Sequence, residues 1–249
     1  MQYSRYADER GRPFLDLMAR IGATTPHRVV DVGCGPGNLT ALLAQRWPDA
    51  RVEGLDSSPE MIAAARSVPG AEFSVADATD WAPEGNMDVI VCNAVLQWVP
   101  GHTALIRRWA DALPPGGWIA FQVPGNFTSP SHRLMRDLAE SARWSDKVGD
   151  VLRHDNAVGS PSDYAALLLD AGLEPDVWET TYLHVLAGAD PVLEWVRGTG
   201  LRPVLAALSD ADAAQFSAEY AQALRDAYPP RVEGTLFPFR RIFAVGHRS

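Results

Sequence analysis

Val29-Val30-Asp31-Val32-Gly33-Cys34-Gly35-Pro36-Gly37-Asn38 reads as a short apolar strand breaking into three alternating glycines, with a helix-like segment over 39–47 behind it. Strand, tight turn and helix in that order open a βαβ unit. Glycine at every second position admits positive φ and brings bare amide groups against a ligand, which side chains at those places obstruct. A dinucleotide fingerprint G-x-G-x-x-G requires glycine at position 38, where Asn38 stands, so a nicotinamide oxidoreductase is disfavoured. The plainer alternative is a structural turn closing a crossover, and residues further along the chain bear on that choice.

Outward from this turn the chain alternates. An amphipathic helix is predicted over 8–21, strands over 29–32, 51–55, 71–76, 87–92 and 118–123, and helices between most of them. Short apolar strands alternating with helices predict an α/β fold: a mostly parallel sheet with helices on both faces and a ligand crevice at the strands' C-terminal ends. Ser58 stands ready as an N-cap with Pro59 at the first helical position, and Leu113-Pro114-Pro115-Gly116-Gly117 stops a helix before the Trp118 strand. Beyond 124 the pattern loosens into helices over 131–141 and 162–171, with a loop over 150–159 between them. Extended segments follow over 177–186 and 237–245. Between these two lie helix formers, including 191–198 and 210–228, and the segment 187–235 reads as a helical lid inserted into one domain spanning 1–249.

Composition narrows the function classes. A chain of 249 residues buries a core without staples, and Cys34 and Cys92 sit in a turn and an apolar strand, not in a disulfide or zinc pattern. No metal site is expected. No run approaches the roughly twenty apolar residues that span a bilayer, and the N-terminus lacks a signal core, so a cytoplasmic location is expected. The net charge of -9 opposes binding to nucleic acid. Lys147 is the one lysine among 22 basic residues, which turns attention to arginine forks suited to carboxylates.

Acidic and polar residues recur at strand ends. Asp31 lies in the first strand; Asp56, about twenty residues past the turn, is placed to accept both hydroxyls of a ribose or simply to cap the next helix. Asp77 closes the third strand beside Ala78, where its carboxylate can accept from an adenine amine, and Asn93 ends the fourth. Gln97 and Trp98 follow, equally readable as a turn with one buried indole. The glycine turn Asp31-x-Gly33-x-Gly35-Pro36-Gly37 resembles the first motif of the class I methyltransferases, whose cofactor is S-adenosylmethionine and whose product is S-adenosylhomocysteine. With Asp56-Ser57-Ser58-Pro59, Asp77 and Asn93-Ala94-Val95-Leu96-Gln97-Trp98, the chain resembles the trans-aconitate methyltransferases of that class over nearly its whole length. The likeness continues through 178–184, 195–203 and 237–241. It implies a seven-stranded class I fold and assigns Asp31, Gly33, Gly35, Pro36, Gly37, Asp56, Ser57, Met61, Asp77, Ala78, Asn93 and Trp98 to the cofactor. One departure is Gly125, where the family pattern leads us to expect aspartate.

The resemblance also implies a reaction, methyl transfer to one carboxylate of trans-aconitate. A carboxylic acid is ionised near neutral pH, so its oxygen attacks the sulfonium methyl without losing a proton, and no general base is nominated. The protein then supplies alignment at about 3 Å and removal of water. The polycarboxylate needs fixed donors, for which the candidates are Gln97, Tyr182, His184, Arg197, Arg202, Arg240 and Arg241. Adjacent strand residues point to opposite faces, so at most one of Arg240 and Arg241 enters the pocket. Tyr182 and His184 share a strand face and read equally well as a half-exposed polar surface; Tyr3 and Tyr6 are candidates for closing over the cofactor. Two rivals stay open: a methyltransferase for another small carboxylate or hydroxyl, and a non-catalytic S-adenosylmethionine-binding protein. Oligomeric state is not legible here.

Overall fold

The computed structural model describes residues 7–148, 151–152 and 157–249. Its elements in chain order are α1 (Ala7–Ala19), β1 (Arg28–Val32), α2 (Thr40–Arg46), β2 (Arg51–Asp56), α3 (Pro59–Ala65), β3 (Glu72–Val75) and β4 (Val89–Asn93). After a single 3-10 turn over Leu96–Trp98 come α4 (His102–Asp111), β5 (Trp118–Pro124), α5 (Pro130–Ala139), α6 (Ser145–Val148) and α7 (Pro161–Asp170). The chain closes with β6 (Glu174–Leu186), α8 (Pro191–Arg197), α9 (Arg202–Ala207), α10 (Asp210–Ala227) and β7 (Thr235–His247). Tyr3, Tyr6 and half of the loop expected over 150–159 lie outside the described residues.

The seven strands form one sheet in the order β3-β2-β1-β4-β5-β7-β6. β1 through β5 are parallel, and β7 runs antiparallel to β5 with Pro124 opposite Arg241 and Trp118 opposite His247. This is the seven-stranded, mostly parallel α/β sheet that the sequence led us to expect. The register puts Val30, Val32, Ile90, Cys92, Ile119, Phe121, Val123, Ile242 and Ala244 on one sheet face, packed on Ile106 and Trp109 of α4 and Tyr164 and Leu168 of α7. Alternate residues point the other way, among them Val29, Asp31, Val91, Asn93 and Gln122. On that side α1 and α2 are tied together: the Arg46 guanidinium donates to the carbonyls of Met18 and Ile21, and the Trp47 indole N–H to Ala23 O at 3.1 Å.

Helix starts follow local chemistry. Ser58 accepts from the Met61 amide at 3.3 Å with Pro59 behind it, and Ser160 and Asp163 form a reciprocal capping box at the head of α7. Ser209 caps α10, accepting from the Asp212 amide at 3.3 Å.

The chain divides into two compact units: a sheet unit of residues 8–124, 158–179 and 241–249, and a helical unit of residues 1–7, 125–157 and 180–240. The sheet unit carries the core just described. The helical unit has its own, built from Met135, Trp144, Trp195, Val196, Leu201, Phe216, Tyr220 and Phe237 among others. Two tyrosine hydroxyls pin α5 to α10 and its C-terminal end: Tyr220 donates to Ser131 O at 2.8 Å, and Tyr228 Oη accepts from the Ser131 amide at 3.0 Å.

In the sheet unit, buried Tyr164 ties two helix starts together, because its hydroxyl accepts from the Gly159 amide at 3.1 Å and pairs with His102 Nε2 at 2.9 Å. Tyr164→Phe removes the hydroxyl and leaves the Gly159 amide and His102 without that partner. We expect a loss of about 1–3 kcal/mol, read from the urea midpoint at unchanged m-value; an unchanged midpoint contradicts this account.

Candidate active site

The three glycines of the β1–α2 turn all hold positive φ, at 79° for Gly33, 57° for Gly35 and 80° for Gly37, but for different reasons. A Cβ on Gly33 would stand 2.1 Å from Val95 Cγ2, and one on Gly37 2.8 Å from Phe73 Cζ, so both glycines are demanded by packing. A Cβ on Gly35 would meet nothing within 4 Å. Gly35 is thus the place where the turn leaves its backbone open to a ligand.

Asp56, the last residue of β2, fixes this turn. Its Oδ2 accepts from the Gly35 amide and its Oδ1 from the Ser58 amide, each at 2.9 Å. One carboxylate therefore joins the glycine turn to the head of α3, and each oxygen retains lone-pair capacity for a further donor such as a ribose hydroxyl. Capping and ligand binding, alternatives in the sequence, are compatible uses of this one group.

The row of strand ends follows the sheet order. Asp77 lies beyond β3, Asp56 ends β2, the glycine turn leaves β1 and Asn93 ends β4, so four polar stations span three strand spacings, about 14 Å. Asp77 is exposed, and its Oδ1 accepts from the Thr79 amide at 2.8 Å and hydroxyl at 2.7 Å, which hold its pKa below the ordinary carboxylate value. Ala78 beside it packs partly against the core. Ser57 and Met61 are exposed, and Pro36 is half-buried between Gly35 and Gly37. The Asn93 Oδ1 is buried without a hydrogen-bond partner, an acceptor left for a donor from outside the fold. Ala94 next to it is the one non-glycine residue with positive φ among those described, at 57°. Its carbonyl receives the Gln97 side-chain amide at 2.7 Å.

Trp98 is 45% exposed, which removes the reading of that turn as one with a buried indole. With Met61, 37% exposed, it gives the sheet unit apolar surface at the N-terminal ends of its crossovers. Bare turn backbone, a carboxylate with spare lone pairs, an orphaned acceptor and exposed apolar side chains fit a nucleoside carrying an amino-acid arm.

Asp31 is fully enclosed. Burial, followed by the opposing Thr40 hydroxyl bond at 2.6 Å and the nearby Asp56 charge, pushes its pKa up to about 6. Cys34 and Cys92 are free, buried thiols, and burial likewise pushes Cys34 up to about 12, so neither is a thiolate near neutrality.

The substrate candidates fall in both units. Arg241, in the sheet unit, is 6% exposed and donates from Nη1 to Gln122 Oε1 at 3.1 Å. The others described next belong to the helical unit. Arg240 points to the opposite strand face, as alternation requires, and donates to Gly125 O at 3.3 Å; its amide donates to Asn126 Oδ1 at 2.8 Å. Tyr182 and His184 are both buried, with stacked rings 6.4 Å apart, and His184 lies 4.7 Å from the Trp195 ring. The half-exposed polar face entertained for them is therefore absent: the outward residues of that strand end are Leu183 and Val185. Arg197 pairs with Glu194 one turn back at 3.2 Å, whereas Arg202 is exposed.

A family profile described as "Methyltransferase domain" matches residues 3–177. The protein named trans-aconitate 2-methyltransferase in Streptomyces avermitilis is 58% identical, the alignment covering 100% of this chain and 96% of that one. Its namesake in Rhodococcus jostii is 55% identical over 98% and 96% of the two chains. The chain belongs to the trans-aconitate 2-methyltransferase family. Among solved structures, the YcgJ protein of Bacillus subtilis superposes with a TM-score of 0.62 over 95% of this chain and 98% of its own; at 18% identity it speaks for the fold alone. No described helix is long and apolar enough to cross a membrane.

Two site neighbours escape a sequence reading of this family member. Gln122 is fully buried, stands opposite Asn93 in the β4–β5 register and has no partner for its Nε2; its signal was a lone polar residue inside the apolar strand 118–123. Thr40, the partner of Asp31, leaves no sequence signal, since the contact depends on how α2 packs.

Asp31 gives a signed pH test. Its folded pKa exceeds the ordinary carboxylate value, so the folded state binds this proton more tightly. The stability it contributes is complete below about pH 4 and lost as pH rises through about 6. Asp31→Asn cannot ionise. Without cofactor, its stability relative to wild type should climb between pH 4 and 6 and then level, a change of order 3 kcal/mol; a flat difference refutes the raised pKa.

Proposed function

We propose that this protein transfers the methyl group of S-adenosylmethionine to a carboxylate of trans-aconitate, giving a monomethyl ester. The observation that carries the cofactor half is the Asp56 carboxylate spanning the Gly35 and Ser58 amides beside a backbone position with no side chain above it. The substrate half is supported by identities of 53–58% over at least 98% of the chain to proteins named trans-aconitate 2-methyltransferase.

When bound, S-adenosylmethionine supplies an electrophilic sulfonium methyl. Everything else falls to the chain's own residues. Asp56 receives the ribose hydroxyls, Asp77 the adenine amine, and Asn93 Oδ1 and the glycine turn receive the amino-acid arm, with Met61 and Trp98 giving apolar cover. The acceptor carboxylate is already ionised near neutral pH, so no side chain has to remove a proton. The residues around it align the oxygen and exclude water, and fixed cations hold the carboxylates that do not react. Arg197, Arg202, Arg240 and Arg241, with Gln97, Tyr182 and His184, are the groups we assign to that task. In this reading the helices over 187–235 act as a lid, and the acceptor is a small molecule and not a nucleic acid.

Labelled S-adenosylmethionine offered with a panel of di- and tricarboxylates tests the reaction. Preference for trans-aconitate over the cis isomer, with label released by mild alkali as expected of an ester, is the expected result. An alkali-stable product points to a hydroxyl acceptor, and cofactor binding without transfer to any acid points to a non-catalytic protein.

Arg202→Met should raise the KM for trans-aconitate about tenfold, the loss of one charge-assisted hydrogen bond, with S-adenosylmethionine affinity unchanged. Arg197→Met is expected to do the same to a smaller extent, because Glu194 already occupies its Nε. Equal losses of both affinities remove that arginine from the substrate site.

A further inference from the structure

Gln122 is a polar residue where packing asks for an apolar one. It lies in β5 between Phe121 and Val123 and is fully buried. Its Oε1 accepts from Arg241 Nη1 at 3.1 Å. A guanidinium only donates, so the amide must meet it with its oxygen, and Nε2 is turned away from Arg241. That Nε2 has no hydrogen-bond partner among the described residues. A methionine would fill similar space without an unpaired donor, so the amide is carried at a cost to the fold.

The residue next to it has the complementary defect. Asn93 stands beside Gln122 in the parallel β4–β5 register, on the same sheet face, and its Oδ1 is likewise buried without a partner among the described residues. Donor and acceptor sit on adjacent strands and still do not bond one another, so each is left for a group outside the fold. Gln122 is enclosed, but Asn93, Ala94 and Val95 are only half-buried, so the pair lies just beneath the surface at the C-terminal ends of the two strands. The order of strands says which ligand each meets. In the reading above, Asp77 beyond β3, Asp56 on β2, the turn after β1 and Asn93 on β4 take the adenine, the ribose and the amino-acid arm of the cofactor. β5 is the next strand, and Gln122 stands one strand spacing, about 4.8 Å, past the last of them. Beyond the methyl donor comes the acceptor.

We propose that Gln122 contacts the substrate: its Nε2 donates to the oxygen of the reacting carboxylate that does not attack, and so turns the other oxygen toward the sulfonium methyl. This rests on the carboxylate-methylation reading given above and adds to it the group that holds the reacting acid. A neutral donor suits that place. The attacking carboxylate gives up negative charge as its oxygen–carbon bond forms and the carbon–sulfur bond breaks, the electron pair of the latter going to sulfur. A guanidinium gripping that carboxylate would stabilise the ground state more than the transition state. An amide orients it with a weaker hold, and Arg241, one hydrogen bond behind, polarises the amide and strengthens its N–H without touching the nucleophile.

Steady-state kinetics of the full chain test this, with S-adenosylhomocysteine affinity measured by calorimetry as the check on fold and cofactor site. Gln122→Met removes the donor and should lower kcat/KM for trans-aconitate about thirtyfold, the worth of one hydrogen bond to a charged group. Gln122→Glu keeps an oxygen for Arg241 but puts negative charge where the donor stood, and should lose at least as much. S-adenosylhomocysteine affinity should stay within about twofold in both. If Gln122 serves only to hold Arg241, the glutamate variant keeps wild-type kinetics, and that result overturns the proposal. So does a kcat/KM within about twofold of wild type in Gln122→Met, and so does an equal loss of S-adenosylhomocysteine affinity, which assigns Gln122 to the cofactor instead. In wild type bound to S-adenosylhomocysteine, the side-chain NH2 resonances of Gln122 should move on addition of trans-aconitate; an unmoved pair overturns the contact even where both variants fail to fold. Wild-type protein that methylates another acid and not trans-aconitate overturns the substrate identity alone, and the variants are then compared on that acid; transfer to no acid overturns both readings.

Discussion

The geometry of the glycine turn depends on one carboxylate. Asp56 closes β2, and by taking the Gly35 amide on one oxygen and the Ser58 amide on the other it fixes two backbone segments that meet nowhere else in the sequence. The glycine turn is also held from below, where the Gly33 and Cys34 amides both donate to Leu55 O at 2.7 and 2.9 Å. Gly35 is consequently rigid and bare at once, a combination that costs stability through positive φ and lost side-chain contacts and is returned only when something binds there. The same pattern governs Asn93, whose partnerless oxygen and strained successor Ala94 are expensive in a ligand-free fold.

A polar line crosses one face of an otherwise apolar sheet. Asp31 pairs in register with Val91, Asn93 with Gln122, and Arg241 bonds Gln122 from β7, so four polar side chains stand on the face opposite the α4–α7 core. Segregating them from Trp109 and Tyr164 lets the sheet unit keep one face dry and densely packed while the other carries groups whose hydrogen bonds are only partly satisfied within the fold. Stability and ligand chemistry are thereby divided between the two faces of a single sheet.

That division also explains what the sequence disclosed. Strands 29–32, 51–55 and 118–123 were legible to within a residue because each is a short extended run set between turn-forming residues. The caps at Ser58 and the helices of 191–198 and 210–228 were legible for the same local reasons. Asp56 was visible as a candidate because its spacing from the turn is set by one crossover. Gln122 and Thr40 were not, since each acquires its meaning from a partner brought in by packing: Thr40 reaches Asp31 only as α2 packs on β1, and Gln122 stands opposite Asn93 only once β4 and β5 pair. The burial of Tyr182 and His184 was hidden similarly, because Trp195 and Phe239, which cover His184, come from later elements.

The arginine-rich composition was the least informative signal, and the structure shows why. Arg28 is consumed by Glu53 and Asn86, Arg51 by Glu72, Arg107 by Asp111 and Arg225 by Asp190, while Arg46, Arg108 and Arg248 donate to backbone carbonyls. A guanidinium with five donors is as useful for tying loop carbonyls as for gripping a carboxylate, so abundance says nothing about ligands. Exposure and neighbours discriminate better. Arg202 is exposed, whereas Arg197 is held by Glu194 one turn back. In a chain of net charge -9, which guanidiniums stay open says more about an anionic ligand than the total of positive charge.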